Sequence, residues 1–181
     1  SIEDPEYYEP YHIKLPNIAV RMDSGREGSG NYGLVGGEQY INVPTTLENA
    51  DANEIKRFFL HAFCNAAGMF NEQQRPDHDN YVKIDFNNVK DNCKSAFDKI
   101  KSNYTTMGMF DMFSITLASS KDFSKNGLNT ITTKTGLGIA INYTLSTQDK
   151  AFLNSHYLPY IARKDNHVEL DDVYDQSGRR L

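Results

Sequence analysis

The sequence predicts an α+β domain with its strands gathered near the front and a loop-rich second half. Three observations carry this. Before residue 45 the chain sets short β-type runs between glycine and proline breaks. A single apolar stripe at helical spacing follows over Asp51–Ala67. Beyond it, two shorter helical patterns stand among long polar stretches. With 181 residues, 39% hydrophobic and 12% aromatic, the chain is long enough to bury its own core. The net charge of −5 weighs against nucleic acid or an anionic membrane surface as the main partner. No run of about 18 apolar residues exists, so no membrane span is expected.

Residues 1–10 read as an acidic, Tyr-rich arm, 11–157 as the body, and 158–181 as a charged tail. Neither a signal peptide nor a Met opens the chain, and Ser1 reads as the start of a processed fragment. Tyr11–Leu15 and Ile18–Met22 are strand-like runs broken at Pro16. Turn chemistry over Asp23–Gly30 leads to Tyr32–Val35, a Gly36-Gly37 turn, and the strand Gln39–Val43.

The helix over Asp51–Ala67 has Asp51 as its cap and Glu54 three residues on. Ile55, Phe58, Phe59, Ala62, Phe63 and Ala66 are expected to face a core, and Gly68 to stop the helix in the left-handed region. His61 and Asn65, four apart, share another face. Tyr81–Phe86 predicts a strand. Asn87–Lys101 predicts a helix with Val89, Cys93, Ala96, Phe97 and Ile100 inward. The Met and Phe group at 107–113 reads as core, and the stretch to Thr144 as irregular. Ser146 is expected to cap a last helix through Tyr157, with Asp149 three residues on.

Cys64 and Cys93 either form one disulfide or stay as buried thiols. Asn103-Tyr104-Thr105 and Asn142-Tyr143-Thr144 are glycan acceptors if the chain is secreted.

The stretch Phe58–Val82 resembles a metzincin zinc-protease segment, H-E-x-x-H-x-x-G-x-x-H. With Gly68 on the motif glycine, His61 falls on the first ligand, Asn65 on the second and Asn71 on the third. Ala62 falls on the catalytic Glu. The continuation, Glu72, Arg75, Asp77, Asp79, Tyr81 and Val82, is similar to the astacin family at every specified position of its Glu-x-x-Arg-x-Asp-x-Asp-x-Tyr-Val pattern. His78 replaces a usual Arg. Phe110–Ala118 is similar to the family's methionine turn, with Thr116 at the methionine and Ala118 at the Tyr that serves as an outer ligand. The resemblance covers about residues 11–157. It implies a two-lobe fold: a small mixed sheet, an active-site-type helix, and a loop-rich C-terminal lobe. The family's first strand and first long helix have no counterpart before Tyr11, and its four disulfide cysteines are absent.

What the resemblance implies for chemistry follows from the replaced positions. A catalytic zinc takes three protein ligands and keeps one position open. One imidazole remains, Asn65 and Asn71 suit harder cations, and Ala62 accepts no proton. No cofactor is expected. Glu72, Arg75, Asp77 and Asp79 read as an ion-pair cluster fixing the loop and the start of the next strand. The expectation is a secreted, non-catalytic protein that binds other proteins or serves in assembly. Its partner would be another chain or a cleaved N-terminal segment completing the fold, in a hetero- or homo-oligomer. The alternative is a secreted zinc metalloendopeptidase with an altered metal site.

Overall fold

Two strands, a long helix and a second, loop-built half succeed one another in the computed structural model, which describes residues 17–23, 30–33, 35 and 38–157. The arm over 1–10, the run Tyr11–Leu15, the Gly36-Gly37 turn, most of the turn before Gly30, and the tail over 158–181 lie outside the described residues.

Strands β1 (Asn17–Asp23) and β2 (Glu38–Pro44) pair in parallel, with Val20 opposite Ile41 and Met22 opposite Val43. The alternation in β2 sends Gln39, Ile41 and Val43 inward. Their register partners Ile18, Val20 and Met22 are 42–53% exposed, an apolar row with no cover among the described residues. On the opposite face Arg21 lies 4.1 Å over the Tyr40 ring and donates to the Asn42 side chain. Tyr32–Val35, expected as an extended run, instead bends at Tyr32 and Gly33, because Gly33 turns at φ +68 and Gln39 Nε2 captures its carbonyl.

Helix α1 (Ala52–Ala66) begins at a capping box. The Asp51 carboxylate accepts from the backbone of Asn53 and Glu54, and the Glu54 side chain returns to the Asp51 N–H. It ends as the glycine predicts. Met69 N–H donates to Cys64 O and Gly68 N–H to Asn65 O, with Gly68 at φ +97, which is a Schellman ending. An added Cβ at Gly68 meets only Gly33 Cα at 3.8 Å, so the objection to a side chain there is conformational rather than steric. Gly68→Ala is expected to lose about 1–2 kcal/mol in urea unfolding, the cost of placing an L-residue in the left-handed region.

The stripe on α1 is less covered than its periodicity suggests. Cys64 alone is buried, while Ile55 is 37% and Phe63 47% exposed. The principal core lies elsewhere, around Val82, Val89, Phe97, Leu117 and Ile131, and it draws no residue from α1. Strand β3 (Val82–Ile84) pairs antiparallel with β4 (Ile131–Thr133) to form a second, separate sheet, so the strands divide into two pairs. β4 lies in the stretch expected to be irregular.

The helix expected over Asn87–Lys101 does not form, and a 3-10 segment over Asp91–Phe97 stands there. The reason lies at its ends. The Asp85 carboxylate holds Asn87 N–H and the Asn88 amide, Lys90 N–H donates to Phe123 O, and Ile100 N–H donates to Gln74 O. Backbone donors used by neighbours in this way are not available to a helical ladder. Val89, Cys93 and Phe97 nonetheless point inward, at 0%, 8% and 1% exposure.

The Met and Phe group is corrected too. Met107, Met109 and Phe113 are exposed, because Arg75 donates to Met109 O and Gly108 O and holds this loop on the surface, while Phe110 is buried and Met112 packs half-buried on the core. Cys64 and Cys93 are both free and buried, so of the two expectations the disulfide does not form. Burial pushes the Cys64 thiol up to about 12, which makes it an inert packing group. Helix α2 (Thr147–Tyr157) starts as expected, with Ser146 Oγ accepting from Asp149 N–H and Asp149 accepting from Ser146 N–H.

Candidate functional site

Glu54, Arg57, His61 and Asn65 recur on one side of α1, and together they line one wall of a cleft of about 420 Å³. Ala62, Ile141 and Tyr143 line the same cleft. Arg57 reaches to Asp122 at 3.0 Å, tying the helix to the loop before Phe123. Its Nε is buried with no partner among the described residues.

The Schellman turn reverses the chain at Gly68 and brings position 71 back to the helix. His61 Nε2 lies 2.8 Å from Asn71 Oδ1. Asn65 Nδ2 donates to the same oxygen at 3.2 Å and to Met69 O at 2.8 Å. Asn71 Nδ2 in turn donates to the Tyr32 hydroxyl at 2.8 Å, and that hydroxyl donates to Gln74 Oε1 at 3.2 Å. The three positions that the resemblance aligns with metal ligands are thus joined within hydrogen-bonding distance. Because Asn71 Oδ1 can only accept, His61 Nε2 carries a proton. Burial lowers the His61 pKa and keeps the ring neutral.

The polar loop behaves as the sequence suggests. Arg75 pairs with Asp77 through two parallel bonds at 3.0 and 3.1 Å and lies 3.4 Å from Glu72. This holds the Asp77 carboxyl below its usual range. Asp79 pairs with Lys99, and Tyr81 stacks on Phe110 at 5.0 Å as β3 begins. Glu72, like Arg75, is only 13% exposed at its side chain. Its Oε1 accepts from Asp111 N–H, and burial pushes its carboxyl up to about 7.

Thr116 and Ala118 sit in a buried turn. Thr116 Oγ1 lies 2.9 Å from Ser114 Oγ and 3.4 Å from Phe70 O, and Ala118 N–H donates to Gln73 Oε1. The two sequons differ. Asn103 is exposed at φ +55, whereas the Asn142 amide donates to Met112 O and Ser114 O.

A family model described as Astacin, a peptidase family, matches residues 21–158. The chain belongs to the astacin family. Zinc metalloproteinase nas-13 of Caenorhabditis elegans is 35% identical over 101 residues, covering 55% of this chain and 21% of that protein. Blastula protease 10 of Paracentrotus lividus is 31% identical over 164 residues, covering 83% of this chain and 24% of that protein. High choriolytic enzyme 1, a hatching enzyme zinc-protease of Oryzias latipes, has the same fold. It gives a TM-score of 0.61 at 24% identity over 76% of this chain and 66% of that one. The chain spans between a fifth and a third of the length of the zinc metalloproteinases nas-13, nas-15 and nas-6 of Caenorhabditis elegans that it matches.

Relatives called zinc metalloproteinases imply a zinc site, and the donors here can be set against it. Zinc favours imidazole, thiolate and carboxylate donors. This astacin chain offers one imidazole, whose Nε2 is engaged by an amide oxygen, and two carboxamides engaged with each other. Among the described residues no three His, Cys, Asp or Glu side chains gather into a metal-holding group. The set does not fit a catalytic zinc. Glu54, two turns before His61 on the helix, lines the same cleft.

Sequence reasoning missed three contributors. Arg57, one turn before His61, was within reach of the same spacing argument. Tyr32 and Gln74 carried no signal, since only the folded loop brings them to Asn71.

Proposed function

We propose that this chain is a non-catalytic astacin-like protein that works by binding other proteins or as a component of an assembly. The observation that carries the reading is the closed His61–Asn65–Asn71 hydrogen-bond set beside Ala62. Peptide hydrolysis in the zinc-protease manner needs an activated water and a base to take its proton. The cleft wall supplies neither the donor triad for the first nor a carboxylate at 62 for the second.

Binding remains within the capacity of the fold. Among the described residues β2 pairs in its sheet with β1, and we take an extended segment of a partner to bind alongside it by strand addition. The exposed row Ile18, Val20 and Met22 suits an apolar element from another chain or from a cleaved N-terminal segment, since a lone two-stranded sheet is marginal in water. We take the protein to be secreted. No helix among the described residues is long and apolar enough to cross a membrane.

The test is a cleavage assay of the full chain on casein and a mixed peptide library, with and without a zinc chelator. The expected result is no chelator-sensitive cleavage. Turnover that a chelator abolishes would overturn the reading in favour of a metalloendopeptidase with an altered metal site.

A further inference from the structure

We propose that Asn65 and Asn71 form a hydrogen-bonded clasp that fastens residues 30–33 over the end of α1, gripping the Tyr32 hydroxyl. The inference rests on the reading that no catalytic zinc occupies the site. It adds what the two carboxamides do there instead.

Residues 30–33 touch the end of the helix at four points. Gly33 N–H donates to Asn65 O at 2.9 Å, a carbonyl that also takes Gly68 N–H. Tyr32 OH accepts from Asn71 Nδ2 and donates to Gln74 Oε1. The Tyr32 ring lies 4.9 Å from that of Phe70. Gly33 and Gly68, both at positive φ, approach so closely that a Cβ on either lies within 3.8 Å of the other's Cα. The two turns therefore meet backbone to backbone.

A carboxamide at 71 is suited to this role because it faces both ways. Its oxygen takes two donors from α1, His61 and Asn65, while its nitrogen gives to the segment on the other side. A metal-bound imidazole would use its one free nitrogen for a single contact. The clasp also bears on the cleft. Gly30 lines the cleft wall, and Gly33 O is held by Gln39 at the start of β2. Fastening residues 30–33 thus sets the position of β2 against α1 and holds the cleft at one width, ready for a partner rather than a reaction.

The test is amide hydrogen exchange on the full chain, comparing wild type with Tyr32→Phe, Asn71→Ala and the double variant. Tyr32→Phe keeps the ring on Phe70 and removes only the hydroxyl, so it is expected to fold. The Gly33 amide should exchange about five- to tenfold faster in each single variant, the effect of the Asn71–Tyr32 hydrogen bond that both remove. The double variant should be no faster than the faster single one, because both changes open the same contact. Unchanged Gly33 exchange in Tyr32→Phe, or additive effects in the double variant, would overturn the clasp. Metal analysis of the same samples judges the underlying reading separately. About one zinc per chain would overturn both, while metal-free protein with unchanged exchange would overturn the clasp alone.

Discussion

Asp149→Ala is expected to destabilise the protein by about 3–5 kcal/mol, since several buried donors lose their acceptor at about 1–3 kcal/mol each. Asp149 is 1% exposed and accepts from three donors: Ser114 Oγ and Ile115 N–H, each at 2.8 Å, and Ser146 N–H at 2.9 Å. It stands in the first turn of α2 and binds the turn that carries Thr116, so its loss separates the last helix from the buried loop. For a chain of this size the melting temperature should fall by about 6–20 °C. Thermal unfolding followed by circular dichroism checks this. Asp91→Ala serves as the control, because its carboxylate pairs with Lys94 on the open surface and should leave the melting point where it was.

The second large effect is a pH dependence centred on Glu72. Its side chain is 13% exposed, and burial raises its carboxyl from 4.5 in the unfolded chain to about 7. Between those values the folded state binds more protons than the unfolded one. Stability therefore falls as pH rises across that window, by roughly 3 kcal/mol in all. His61 acts in the opposite sense. Its pKa is lowered by burial, so its contribution grows as pH rises toward 6.5. The difference between wild type and Glu72→Gln isolates the carboxyl. Glu72→Gln keeps an oxygen for Asp111 N–H. It is expected to equal wild type near pH 4.5 and to exceed it at pH 8. Urea unfolding at a series of pH values reads this directly, and parallel curves for the two proteins would rule out a buried, titrating Glu72.

The parts of the fold legible in the sequence are those set by neighbours along the chain. The Asp51 box, the Gly68 turn and the Ser146–Asp149 start each depend on groups two to five residues apart. Spacing alone exposes such pairs. The segment over 91–97 shows the limit. Its period identified Val89, Cys93 and Phe97 as inward, yet the backbone was claimed by Asp85, Phe123 and Gln74, two of them far along the chain. The uncovered face of α1 shows the same limit from the other side. An apolar stripe records the wish for a partner surface, and the described residues bury Cys64, half-cover Phe58, Phe59, Ala62 and Ala66, and leave Ile55 and Phe63 exposed.

The candidate site was legible in its positions but not in its connections. One glycine spacing sufficed to place 61, 65 and 71 together, because a Schellman turn has a fixed geometry. Tyr32, Gln74 and the Arg57–Asp122 pair are joined to those positions by long-range packing that leaves no trace in a single sequence. The buried state of Glu72 was hidden for the same reason, since its surroundings come from the loop around Asp111.

The zinc content of the purified full-length chain, measured by mass spectrometry after growth with added zinc and dialysis, tests the central claim most directly. A hydrogen-bonded set of one imidazole and two carboxamides should retain no zinc above trace. About one zinc per chain, lost together with a shift in the His61 ring resonances on chelation, would contradict it.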